Sequence, residues 1–86
     1  MMISEMVDQL FSRWGDSGGH MDYTREQSWK LLGISIGLGC LFDENIEAER
    51  QWMQTIHPSL GCRPIVAVLR GEIDEVLNLV NRERGL

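Results

Sequence analysis

Eighty-six residues with 43% apolar side chains make one small domain with enough apolar content to fold, which excludes disorder of the chain as a whole. The net charge is −5, with eight basic side chains against thirteen carboxylates. Non-specific DNA affinity comes mainly from neutralised phosphates, so the chain alone is not expected to bind nucleic acid and suits a basic protein surface better.

A chain this short buries only roughly 60% of its unfolded surface, so self-association as a homodimer is expected to cover what one core cannot. Cys40 and Cys62 are too few and too far apart for a disulfide framework and read as reduced cytoplasmic thiols. The N-terminus lacks a basic region followed by an apolar core, so no signal peptide is read there. The longest apolar run, Leu31 to Phe42, is shorter than the roughly 20 residues a bilayer span needs, so no membrane partner is expected.

Met2 to Trp14 carries Ile3, Met6, Val7, Leu10, Phe11 and Trp14 three and four apart, the spacing of one helical face. Asp16-Ser17-Gly18-Gly19-His20 reads as a linker. Met21 could be an alternative start, and residues 1–20 are then an appendage to a domain spanning 21–86.

Thr24-x-x-Gln27 is a capping-box signal, and a helix is expected from there to about Phe42. Its second half is apolar almost all round, as in a helix buried on more than one side. Gly33 and Gly37, with Cys40 three residues later, fall on one face. That stripe of small residues reads as the seam of a central helix, inside the monomer or at a dimer axis. A strand is the runner-up, because Ile34, Ile36 and Leu38 alternate with small residues.

Asp43-Glu44-Asn45 breaks the apolar run and opens a third helix, where acidic residues suit the dipole. Ile46, Met53 and Ile56 with Trp52 form its expected buried face, leaving Glu47, Glu49, Arg50 and Gln54 solvated. His57-Pro58 ends it, since the residue before proline is pushed out of α geometry. The His57 ring is expected to cap the last carbonyls. Pro64 opens a short fourth helix that Gly71 closes as a left-handed cap. A fifth runs from Glu72 to about Arg84 on the stripe Ile73, Val76, Leu77 and Val80, with Gly85 as its cap and Leu86 and its carboxylate left free. The expected architecture is an all-α, single-domain bundle of about five helices.

No catalytic constellation can be assembled from these residues, and the chain is read as a non-enzyme. Ser59 lies near His57 without a placed acid or a nucleophile elbow. Glu44, Glu47 and Glu49 read as a solvated helix face. His20 and His57 lack the Cys/His clustering of a zinc site, so neither metal nor cofactor is expected. Trp14, Trp29 and Trp52 read as core or interface anchors rather than base-stacking platforms.

One order of residues goes further: Trp52, then His57-Pro58-x-Leu60-Gly61, then Arg63-Pro64, Leu69-x-Gly71, Val76-Leu77 and Arg84-Gly85. From roughly Tyr23 to Leu86 it resembles the toxin-binding domain of the Xre/MbcA/ParS antitoxin family of bacterial type II toxin–antitoxin systems. It departs in having Gly61-Cys62 where the family commonly has Gly-Gly. Only about twenty residues precede the similar region, where relatives carry a helix-turn-helix, so operator binding is not expected.

The resemblance implies inhibition of a RES-domain toxin, an enzyme that consumes NAD⁺, by occlusion of its dinucleotide pocket with the C-terminal end. On that reading Arg82, Glu83, Arg84, Gly85 and Leu86 form the plug, with Glu75 and Asn78 beside it. A pocket built for a pyrophosphate presents arginines, which pair with carboxylates in a bidentate way. The alternative is a stand-alone dimerisation or regulatory module lacking its DNA-binding region.

Overall fold

The computed structural model describes residues 3–16 and 23–86. The glycine linker beyond Asp16 and the candidate start at Met21 lie outside the described residues. Among those described, the chain forms five helices: α1 (Ile3–Arg13), α2 (Arg25–Leu41), α3 (Ile46–Gln54), α4 (Pro64–Leu69) and α5 (Ile73–Glu83). The expected all-α bundle is what forms, and the apolar run over Ile34–Leu38 is helix rather than strand.

Local chemistry sets the ends of α2. The Gln27 N–H donates to Thr24 Oγ1 at 3.1 Å, and the Thr24 N–H donates to Gln27 Oε1 at 2.9 Å, so the capping box is complete. At the other end Asp43 and Glu44 take φ of 53° and 59°, and the Glu44 N–H donates to the Gly39 carbonyl at 2.9 Å. Left-handed backbone is disfavoured for side-chain-bearing residues, so this turn holds local strain.

Gly71 and Gly85 end α4 and α5 in left-handed conformation, as their positions predict. In each case the glycine N–H bonds back three residues and the next N–H bonds back five: Gly71 to Val68 and Glu72 to Ala67, Gly85 to Arg82 and Leu86 to Asn81. Both are Schellman motifs. Gly15 closes α1 in the same way, through Gly15 to Ser12 and Asp16 to Phe11.

A single core joins all five helices. Leu31, Ile34 and Leu38 of α2 meet Ile73, Val76 and Val80 of α5, and α1 adds Val7, Leu10, Phe11 and Trp14. Burying Ile73, Val76, Leu79 and Val80 is worth about 6–12 kcal/mol before entropy is charged. Trp14 and Phe11 are among the largest fully buried side chains, so α1 shares one core with the helices of residues 23–86. Of the other tryptophans, Trp52 is half-buried against the core, while Trp29 is 58% exposed and is not part of the core cluster among the described residues.

The small-residue seam is resolved in part. A Cβ built at Gly37 would overlap the Val80 Cγ1 methyl, and one at Gly33 would sit 3.4 Å from Leu77 Cδ1. Gly33 and Gly37 therefore let α5 approach α2 inside one chain. Cys40 is exposed and takes no part in that contact.

Helix α3 is rotated from its expected orientation. Met53 is buried as predicted, but so is Glu49, while Ile46 is 45% and Ile56 is 67% exposed. Ile56 lies beyond the helix, which Thr55 ends in extended backbone, so the period that linked it to Met53 is broken. Gln54, expected to be solvated, is half-buried: its Nε2 donates to the Trp14 carbonyl at 2.8 Å, and its Oε1 accepts from Arg63 Nη1 at 2.8 Å. That relay ties the ends of α1 and α3 to the start of α4.

Candidate partner-binding surface

The apolar stripe of α5 fixes which of its side chains face outward. With Ile73, Val76 and Val80 committed to the core, Glu75, Asn78 and Arg82 fall together on the opposite, exposed side. The turn after α3 brings Ser59 and Leu60 alongside, and these five residues line a surface groove of about 390 Å³.

The turn is built by the residues that carry the family resemblance. The His57 N–H donates to the Cys62 carbonyl at 3.0 Å, and the Leu60 and Gly61 N–H groups donate back to the His57 carbonyl at 3.0 and 2.9 Å. Gly61 reaches φ 70°, which a side chain would disfavour. Leu60 packs against the core, Pro58 is exposed at the bend, and Pro64 occupies the first turn of α4, where its missing N–H costs nothing.

The side chain of His57 does not cap α3. Its Nδ1 accepts the Ser59 N–H at 3.1 Å, which puts the ring proton on Nε2, and Nε2 donates to Glu83 Oε1 at 3.1 Å. The Trp52 indole N–H donates to Glu83 Oε2 at 3.0 Å. One carboxylate thus ties the end of α5 to both α3 and the turn. The expectation that His57 bonds the last carbonyls of α3 fails because the ring is drawn to a stronger, charged acceptor 26 residues away.

The seven residues expected at a partner surface consequently divide. Glu83 is engaged by Trp52 and His57. Arg84 is half-buried, with its aliphatic stem over Gly37: a Cβ built there would lie 3.4 Å from Arg84 Cδ. Glu75, Asn78, Arg82, Gly85 and Leu86 are exposed, Leu86 at 77%. Arg82 and Glu75 form no ion pair among the described residues. Leu86 is not loose, because its N–H is held by the Asn81 carbonyl at 2.9 Å.

A part-buried ion pair elsewhere has no local sequence signature. Arg13 Nη2 donates to Glu49 Oε2 at 2.9 Å, and Arg50 Nε donates to the Arg13 carbonyl at 3.3 Å. The Arg13 guanidinium is held more basic than usual, chiefly by its hydrogen bond to Glu49. No group of three or more His, Cys, Asp or Glu side chains able to hold a metal occurs among the described residues, and none of the described helices is long and apolar enough to cross a membrane. No family model, curated protein or solved structure matches the chain.

Proposed function

We propose that this chain is an antitoxin that binds a RES-domain toxin and blocks its NAD⁺ pocket with the exposed side and end of α5. The observation that carries this reading is the division at the end of α5. Glu83 and Arg84 clamp the helix to the fold, while Glu75, Asn78, Arg82 and Leu86 stand clear of it. A rigid projection of this kind loses little conformational entropy on entering a cavity. The resemblance over Trp52, His57-Pro58-x-Leu60-Gly61 and Arg63-Pro64 supports the same reading, since those residues build the turn that flanks the projection. Net charge of −5 suits a pocket that binds a pyrophosphate through cationic side chains.

The test is co-expression with a RES-domain toxin encoded beside this chain. The wild-type chain rescues growth and retains the toxin through affinity purification. Glu75→Lys combined with Leu86→Lys, which sets positive charge against a cationic pocket, loses both effects while its circular dichroism and melting are unchanged. Rescue that survives this double substitution would refute the assignment of the surface. Failure of the wild-type chain to bind the toxin would refute the function.

A further inference from the structure

Both ring nitrogens of His57 are committed, one as acceptor and one as donor. Nδ1 accepts the Ser59 N–H at 3.1 Å, and Nε2–H donates to Glu83 Oε1 at 3.1 Å. Only the neutral ring with its proton on Nε2 does both, because an imidazolium carries a proton on each nitrogen and accepts at neither. Histidine is the side-chain type that changes charge between about pH 5 and 8. Ser59, which the ring holds, lines the groove beside α5 together with Leu60, Glu75, Asn78 and Arg82.

We propose that His57 is a pH-operated latch on the wall of this groove. The neutral ring fastens the turn at Ser59 to the same side chain that grips Glu83 of α5. A second proton, on Nδ1, sets donor against donor and expels the Ser59 N–H. The bond from Nε2 survives and strengthens, since a charged donor then faces a carboxylate. The ring therefore stays with Glu83, and it is the turn that gives way. Ser59 is exposed, so water takes its N–H and no buried group is left unpaired.

The surroundings confine the release to Ser59. The Leu60 and Gly61 N–H groups go to the His57 carbonyl and the His57 N–H to the Cys62 carbonyl, and protonation of the ring touches none of these bonds. From α5, Glu83 meets the ring, and Glu75 and Arg82 line the groove with Ser59. From α3, the uncharged Trp52 indole stands with its centroid 6.0 Å away and shares the Glu83 carboxylate. At the two ends of α4, Arg63 donates to Gln54 and Arg70 lies 4.0 Å from the Cys62 thiol. Among the described residues only Ser59 and Glu83 bond the ring. That the latch regulates a toxin contact rests on the function proposed above, whereas the latch itself does not.

Nitrogen-15 NMR of the full chain between about pH 8 and about pH 5 tests the latch without any partner. At the alkaline end a scalar coupling across the hydrogen bond joins the Ser59 amide nitrogen to His57 Nδ1. As the ring signals report protonation, that coupling is lost and the Ser59 amide proton shifts toward the position of a solvated N–H, while Leu60 and Gly61 stay. In His57→Asn the side-chain oxygen accepts the N–H two residues on, as in an Asx-turn, and takes up no proton in that range, so Ser59 stays in place throughout. Asparagine is too short to reach Glu83, so if this variant is too unstable to study the wild-type titration decides alone. A coupling that persists after the ring has protonated overturns the latch, as does a ring that stays neutral down to about pH 5. So does a Ser59 shift that persists in His57→Asn. Binding of a RES-domain toxin is then compared at the two ends of the range. The wild-type chain loses about tenfold more affinity on acidification than His57→Asn does, the equivalent of one hydrogen bond. Equal losses would overturn the regulation, and a wild-type chain that binds at neither pH would refute the function and leave the latch standing.

Discussion

Arg13 Nη2 lies 2.9 Å from Glu49 Oε2, joining α1 to α3 across 36 residues of sequence, and the Glu49 side chain is completely buried. Breaking a buried pair by removing one partner leaves an uncompensated charge, whereas replacing both removes the desolvation cost as well. Arg13→Ala is expected to destabilise the fold by about 2–4 kcal/mol, and Arg13→Met with Glu49→Leu by much less. Urea unfolding followed by circular dichroism measures both. A single variant as stable as the double one would show that the pair contributes nothing.

The two glycines of α2 that face α5 make opposite predictions. At Gly37 a Cβ collides with the Val80 methyl on a packed helix, so Gly37→Ala should cost about 1–3 kcal/mol. At Gly33 the nearest atom is 3.4 Å away, at the flexible end of Leu77, and the gain in helix propensity dominates. Gly33→Ala should be neutral or stabilising by up to about 1 kcal/mol. Thermal melts of the two variants must move apart.

Glu83 holds the end of α5 by accepting from both Trp52 Nε1 and His57 Nε2. Glu83→Ala should cost about 1–2 kcal/mol, the range for two partly exposed bonds of which the acceptor is charged. Amide exchange near Arg82 should accelerate more than in the core, and the fluorescence of Trp52 should change. Unaltered exchange in the last turn of α5 would show that the carboxylate does not clasp it.

Tyr23 stacks on Phe11 with ring centroids 5.7 Å apart, and its hydroxyl is buried. Burial pushes its phenol above the ordinary value of 10.0, and the charge of Asp16 adds to the shift. The folded state therefore binds this proton more tightly than the unfolded chain. The contribution to stability is fully present below pH 10.0 and is lost as pH rises through the raised folded value. Alkaline titration of tyrosinate absorbance should show a midpoint above that of free tyrosine, and Tyr23→Phe should flatten the alkaline loss of stability. A midpoint at the ordinary value would contradict the burial.

Much of this fold is legible in the sequence because the signals are local. Thr24 and Gln27 encode the start of α2, Pro64 and Gly71 bracket α4, and Ile73, Val76 and Val80 define the inward face of α5. The orientation of α3 is not legible. Ile46 and Ile56 offer one apolar side, but Glu49 turns inward because Arg13, distant in sequence, supplies its counter-charge there. His57 shows the same limit: its ring could serve the helix it follows, and only the folded chain brings Glu83 within reach. The period of the last helix is enough to group Glu75, Asn78 and Arg82 on one side of it. The contacts of Glu83 with Trp52 and of Arg84 with Gly37 are not legible, since they come from other helices.

The outward side and end of α5 are proposed to enter a toxin's pocket. Hydrogen exchange of the chain, alone and saturated with a RES-domain toxin, tests that entry. Added protection is expected over residues 75–86 and at Ser59 and Leu60, with little change along α2. A complex that protects α2 and leaves the last turn of α5 exchanging as before would contradict it.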